Sequence, residues 1–277
     1  MRAVGGNASD VRGLAARIRA HALRMVHRAN MSHIGSCLSI ADLLATLYGN
    51  VLRVDPHHPD ATGRDRFILS KGHAAAILYA VLAECGFFPV SWLETYCQDG
   101  SPLLGHVNSH GVPGVEVSTG SLGHGLPIAC GMALAGKRDG ENHRVVVMLS
   151  DGELDEGSSW EAMLFAPQHQ LDNLIAIVDC NGIQSFGNVA DVLDLHPLDE
   201  KWRAFRWAVR TIDGHDHAAI EAALSAAPFE HGKPSVILAR TVKGKGVSFM
   251  EHQLAWHYQA PTAGQLAQAL AEVGEQA

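Results

Sequence analysis

The sequence predicts an α/β fold: a doubly wound, mostly parallel sheet with helices on both faces. Three observations carry that prediction. Val145–Leu149, Leu174–Asp179 and Val236–Ala239 are continuous apolar runs of strand length, each bounded by polar or glycine residues. Runs that are apolar on both faces suit a buried parallel sheet, not a half-exposed antiparallel one. Helix-like segments lie between them, at Ser158–His169 and His217–Ala227, and strand–helix–strand alternation implies a doubly wound arrangement.

The remaining elements follow in chain order. Val11, Leu14, Ile18, Ala22 and Met25 recur at the i, i+3/i+4 spacing of one helix face. Ser39 followed by Asp42 resembles a capping box opening a second helix, with Leu43, Leu44, Leu47 and Val51 inward. A last helix opens with Pro261 and Thr262-x-x-Gln265 and carries Leu266, Leu270 and Val273. No Pro-, Gly- or Ser-rich linker divides the chain and no repeat is present, so a single domain over residues 1–277 is expected. That length suffices to bury a substantial core.

Composition narrows the function classes. With 47% hydrophobic and 18% charged residues the chain has the make-up of a soluble globular protein. A formal charge of −8 argues against nucleic acid or an anionic membrane as partner. The segment Met1 to Ala22 has no apolar core of signal-peptide length, and no run is long enough to span a bilayer. Five cysteines without CxxC spacing read as scattered thiols of a reducing compartment, so a cytoplasmic location is expected.

In such folds ligands sit beyond the carboxyl ends of the strands. One strand is expected to end in Ser150-Asp151-Gly152-Glu153 and the next in Asp179-Cys180-Asn181-Gly182. A carboxylate, an amide carbonyl and a nearby backbone carbonyl make hard oxygen ligation suited to Mg²⁺ or Ca²⁺. The ion would keep positions for water or phosphate oxygens, and glycine at 152 lets a diphosphate approach the backbone. Taken alone, Asp-Gly and Asn-Gly are ordinary turns after strands.

The segment from Ser150-Asp151-Gly152 to Asn181 resembles the thiamine-diphosphate motif. Further segments narrow the resemblance to transketolases: Ser32-His33-Ile34-Gly35 leading into Leu38–Leu44, Arg64–Ala74 with Ser70-Lys71-Gly72-His73, Val115–Gly125, and Trp256-His257 after Lys243-Gly244-Lys245-Gly246. The resemblance runs from about the first helix to about Pro261. It implies the thiamine diphosphate-binding fold, in its diphosphate-binding module. It also implies that Asp151, Asn181 and the main-chain carbonyl of Ile183 ligate the metal. Gly152 would pack against the diphosphate with His73 beside it, and Glu153 would belong to the same cofactor-binding segment. Gly120 and Leu122 would hold the aminopyrimidine through their backbone. His33, His106 and His257 would line a substrate funnel and handle hydroxyl protons, a task suited to imidazole near neutral pH. Glu156 matches an acidic residue in a carboxylate network between two active sites. Lys243, in a glycine-flanked loop, suits either phosphate contact or plain solvation.

With 17 histidines in the chain, any single one is more often a surface or core residue than a catalytic one. His33, His73, His106 and His257 stand apart because each lies in a matched segment. The resemblance covers only the half that grips the diphosphate. The glutamate that activates the aminopyrimidine has no counterpart here, which implies a C-terminal partner subunit carrying it and an α2β2 assembly. Ketol transfer from a ketose to an aldehyde would need both chains. Ser32, Ser36-Cys37, Val107, His124 and Tyr258-Gln259 depart from the split-transketolase pattern; the last replaces Gly-Lys and removes a cation suited to anionic substrates. The competing readings are the α subunit of a 2-oxoacid dehydrogenase and a non-catalytic paralogue. A dinucleotide-binding oxidoreductase lacks its G-x-G-x-x-G fingerprint here.

Overall fold

The three apolar runs lie side by side in the middle of one sheet. The computed structural model describes residues 10–274; the ends of the expected 1–277 domain, including the first nine residues of the Met1–Ala22 segment, lie outside the described residues. The strands are β1 (Arg66–Leu69), β2 (Val145–Ser150), β3 (Leu174–Cys180), β4 (Ile183–Gln184), β5 (Gly187–Asn188), β6 (Ala208–Asp213) and β7 (Ser235–Arg240). Five of them form one sheet in the order β1-β2-β3-β7-β6, and every pairing in it is parallel. β4 and β5 form a small antiparallel hairpin.

Alternation along each central strand divides the core in two. Val146 and Met148 of β2, Ile175 and Ile177 of β3, and Ile237 of β7 join one hydrophobic cluster. Val145, Val147 and Leu149 of β2, Leu174, Ala176 and Val178 of β3, and Val236 and Leu238 of β7 join the other. Helices α1 (Val11–Ala29), α2 (Ile34–Ser39), α3 (Ala41–Thr46) and α4 (Ala75–Glu84) pack on the first face. On the second lie α5 (Gly125–Arg138) and α6 (Gly157–Gln168). Short helices α7 (Val189–Val192) and α8 (Leu198–Ala204) follow, then α9 (His217–Ser225) and α10 (Ala263–Glu272). This is the doubly wound sheet the sequence predicts, because strands apolar on both faces can be buried only between two helix layers.

Thr262 and Gln265, where the last helix is expected to open, form a capping box at α10, with Gln265 Oε1 accepting from the Thr262 amide at 2.9 Å. The expected box at Ser39–Asp42 is corrected. Ser39 closes α2, and its hydroxyl donates to Asp179 Oδ2 at 2.7 Å, while α3 begins after Ile40 with no side-chain cap. Both polar groups are needed by distant partners. Among the described residues no helix is long and apolar enough to cross a membrane, and all five cysteines are unbridged.

Candidate functional site

A parallel sheet brings the carboxyl ends of its strands to one edge, so the chain leaves β1, β2, β3 and β7 into a shared space. β1 delivers Ser70-Lys71-Gly72-His73, β2 delivers Asp151 and Gly152, β3 delivers Asn181 and Ile183, and β7 delivers Thr241–Lys243. β2 and β3 are neighbours, with Ser150 opposite Asp179.

Asp179 forms the floor. It is wholly buried, and its Oδ2 receives Lys71 Nζ at 2.6 Å, the Ser39 hydroxyl at 2.7 Å and Asn181 Nδ2 at 2.9 Å. Thr241 Oγ1 donates to its other oxygen. Burial alone would raise the pKa of Asp179, but the Lys71 ammonium and these donors lower it, so the carboxylate is ionised. One anion thus ties together the ends of β1, β3, α2 and the segment after β7.

Above it, Asp151 is buried and held by two main-chain amides, Gly152 N–H to Oδ1 at 2.8 Å and Gly182 N–H to Oδ2 at 2.6 Å. Burial, then the nearby Asp179, raise its pKa to about 6. Asn181 Oδ1 accepts the Ile183 amide at 3.1 Å. The structure therefore gathers Asp151, Asn181 and Ile183 into one loop system. Among the described residues no group of three His, Cys, Asp or Glu side chains could hold a metal. The set is instead one carboxylate plus carboxamide and peptide oxygens, the hard and incomplete donor set of a magnesium or calcium ion that also takes phosphate oxygens.

The four singled-out histidines converge on a cavity of about 220 Å³ lined also by Gly120, Leu122, Gly152, Asn181, Ile183 and Lys243. His33 stands 4.9 Å from His73, 5.0 Å from His257 and 6.0 Å from His106 between ring centroids; His73 and His257 are 5.8 Å apart. His33 precedes α2 in the left-handed region (φ 74°), a conformation that costs a non-glycine residue on the order of 1 kcal/mol. Its amide donates to the His257 carbonyl at 3.0 Å, which couples the two rings' positions. Burial, then His106 and Lys243, lower the pKa of His33 to about 4; burial, then Lys243, lower that of His257 to about 3. Burial drives that of His73 well below its usual value. These three rings are neutral at pH 7, and each keeps an acceptor nitrogen.

Two glycines are required by close approach. A Cβ on Gly72 would lie 2.4 Å from the Thr119 carbonyl oxygen, and one on Gly152 would lie 2.7 Å from Gln184 Cβ. Without side chains, the segment leading to Gly120 folds onto β1 and the β4 turn folds over Gly152.

Lys243 is buried, which excludes plain solvation. Its Nζ donates to the Ile183 carbonyl at 2.8 Å and to His257 Nδ1 at 3.1 Å. Burial, then Lys71, lower its pKa to about 8. Glu153 lies behind the cavity wall, not in it. It is wholly buried, and its Oε1 accepts from the Ser70 hydroxyl and, at 2.9 Å, from the Gly123 amide. It braces the loop that carries Gly120 and Leu122. Glu156 is exposed, beside Gly123, and apart from the four rings. Sequence reasoning assigns no role to Lys71 or Asp179. Both stand in segments of interest, but only the fold pairs residues 108 positions apart.

Comparison with known proteins identifies the relatives of the chain. Residues 11–276 match the family model described as transketolase, thiamine diphosphate binding domain. The chain is 43% identical over 256 residues to the 6-deoxy-6-sulfo-D-fructose transketolase subunit SqwG of Clostridium sp. (strain MSTE9), covering 92% of this chain and 93% of the relative. It is 44% identical over 245 residues to one of the apulose-4-phosphate transketolase subunits, from Actinobacillus succinogenes, covering 88% of each. Among solved structures it resembles the transketolase of Leishmania mexicana with a TM-score of 0.91 and 31% identity, covering 96% of this chain but 41% of that one.

Proposed function

Because the chain belongs to the transketolase family, through its thiamine diphosphate-binding domain, we propose that it is the N-terminal subunit of a two-subunit transketolase. In this reading it moves a two-carbon ketol unit from a ketose to an aldehyde only when joined by a C-terminal partner subunit. The observation that carries the proposal is the convergence of His33, His73, His106 and His257 on one cavity lined also by Gly152, Asn181 and Ile183, with Asp151 held next to it by the Gly152 and Gly182 amides.

Asp151, Asn181 and the Ile183 carbonyl would hold Mg²⁺, with Ca²⁺ the other hard cation that fits. Gly152, His73 and Lys243 would face the diphosphate, and Gly120 and Leu122 the aminopyrimidine. When bound, thiamine diphosphate supplies the carbanion that proteins do not make themselves. The chain's own part is to bind and orient it, and to move protons on sugar hydroxyls. His33 and His257 are neutral and packed edge to face; His33 keeps an acceptor nitrogen for a hydroxyl proton, whereas His257 Nδ1 already accepts from Lys243, which leaves its Nε2–H to donate to a sugar oxygen. His106 lines the same cavity and is exposed, within reach of an entering sugar.

The printed names of the similar proteins in Clostridium and Actinobacillus call them subunits, which supports a partner chain here. This chain spans 41% of the solved Leishmania transketolase. An α2β2 assembly and a cytoplasmic location complete the reading, with 1–277 as one diphosphate-binding domain and Glu156 facing the second site. The test is a transfer assay with the chain alone, the partner alone and both together, using phosphorylated and unphosphorylated aldehydes. Activity only in the mixture supports the proposal; full activity of the isolated chain would overturn its dependence on a partner.

A further inference from the structure

Within the Leu38–Leu44 segment, but with no role assigned to it from the sequence, Asp42 receives four side-chain donors. Arg19 reaches it through Nη1 at 3.1 Å and Nη2 at 2.5 Å, His217 through Nε2 at 2.9 Å and His215 through Nδ1 at 2.8 Å. The two histidines differ in what else they touch. Among the described residues the His217 ring bonds to Asp42 alone, whereas His215 Nε2 accepts the main-chain N–H of Val242 at 2.9 Å. A backbone amide can only donate, so His215 carries its hydrogen on Nδ1 and gives it to the carboxylate. Asp42 thereby fixes the tautomer that leaves Nε2 open to Val242.

Val242 immediately precedes Lys243, whose ammonium must reach both Ile183 and His257. A lysine stem has four rotatable carbons, so the place of its charge depends on where its backbone is anchored. Thr241 N–H donates to the Cys180 carbonyl at 3.2 Å and Gly244 N–H to the Gly35 carbonyl at 3.0 Å. Between these two anchors the Val242 and Lys243 carbonyls accept the Lys245 and His252 amides at 3.1 and 3.0 Å, and His215 is the side chain that holds the N–H of the residue entering Lys243. We propose that His215 is a positioning residue for the cofactor site: through Val242 it sets the Lys243 backbone so that the ammonium stands between Ile183 and His257. This rests on the reading that the pocket binds thiamine diphosphate.

His217 supplies an internal control, since it shares the Asp42 carboxylate but holds no part of the Lys243 loop. Thiamine diphosphate with Mg²⁺ is titrated into the full chain co-purified with its partner, for the wild type, His215→Ala, His215→Gln, His217→Ala, Lys243→Ala and the His215→Ala/Lys243→Ala pair. Melting temperatures are recorded for each. Loss of one hydrogen bond to the backbone is expected to raise Kd about 5- to 10-fold in His215→Ala. His215→Gln, whose amide can donate to Asp42 and accept from Val242, restores most of the affinity. His217→Ala stays within about twofold of wild type, and His215→Ala adds no further loss once Lys243 is gone. Wild-type affinity in His215→Ala, equal losses in both histidine variants, or additive losses in the pair would overturn the proposal. If His215→Ala does not fold, His215→Gln at wild-type melting temperature decides: weak binding there overturns it, and near-native binding supports it. A wild-type complex that binds no thiamine diphosphate brings down the underlying reading too. Binding by the wild type with a failed His215 comparison brings down this proposal alone.

Discussion

The Lys243 ammonium donates to the main-chain carbonyl of Ile183 at 2.8 Å, joining the segment after β7 to the loop after β3. It does so with its side chain buried and its pKa lowered to about 8, first by burial and then by Lys71. A cation held at a cost in a cavity is expected where an anion is to be bound. Lys243→Met should therefore weaken thiamine diphosphate binding by at least about tenfold while leaving the melting temperature unchanged or higher. Calorimetry and thermal denaturation of the same sample check both halves.

Most of the fold is legible in the sequence because its strands are extreme in composition. β2, β3 and β7 are apolar on both faces, and their ends lie within one or two residues of the apolar runs. β1 and β6 do not stand out as strands. β1 is four residues long, and β6 is an edge strand whose Arg210, Thr211 and Asp213 face solvent, so neither carries the apolar run. The histidine cluster is legible only through its motif segments, since four rings from positions 33 to 257 share no local pattern. Glu153 shows the limit of that approach. It adjoins the motif expected to bind the metal, and its side chain turns inward to Ser70 and Gly123.

Gly72 should tolerate no side chain. A Cβ there falls 2.4 Å from the Thr119 carbonyl oxygen, a backbone atom that cannot swing away. Gly72→Ala is expected to cost about 1–3 kcal/mol in urea denaturation. Because Thr119 precedes Gly120, the same variant should also weaken cofactor binding.

Asp65 should govern acid stability. Its wholly buried carboxylate accepts Arg53 Nη2 at 2.7 Å, Arg144 Nη2 at 2.6 Å and the Arg144 amide at 2.9 Å. Burial alone would raise its pKa, but these donors outweigh burial and lower it to about 2. The stabilisation is complete above the unfolded-state value near ~3.9 and disappears as pH falls through about 2, and amounts to about 2 kcal/mol. Asp65→Asn should therefore be less stable than wild type at pH 5, with the gap closing towards pH 2. Urea midpoints across that range measure it.

In the proposed function, the Asp151–Asn181–Ile183 loop system holds a metal–diphosphate cofactor. Calorimetric titration of thiamine diphosphate with Mg²⁺ into the chain joined to its partner, compared with Asp151→Ala, tests it most directly. The wild type is expected to bind tightly and only with magnesium, and the variant not at all. Equal binding by both would contradict that function.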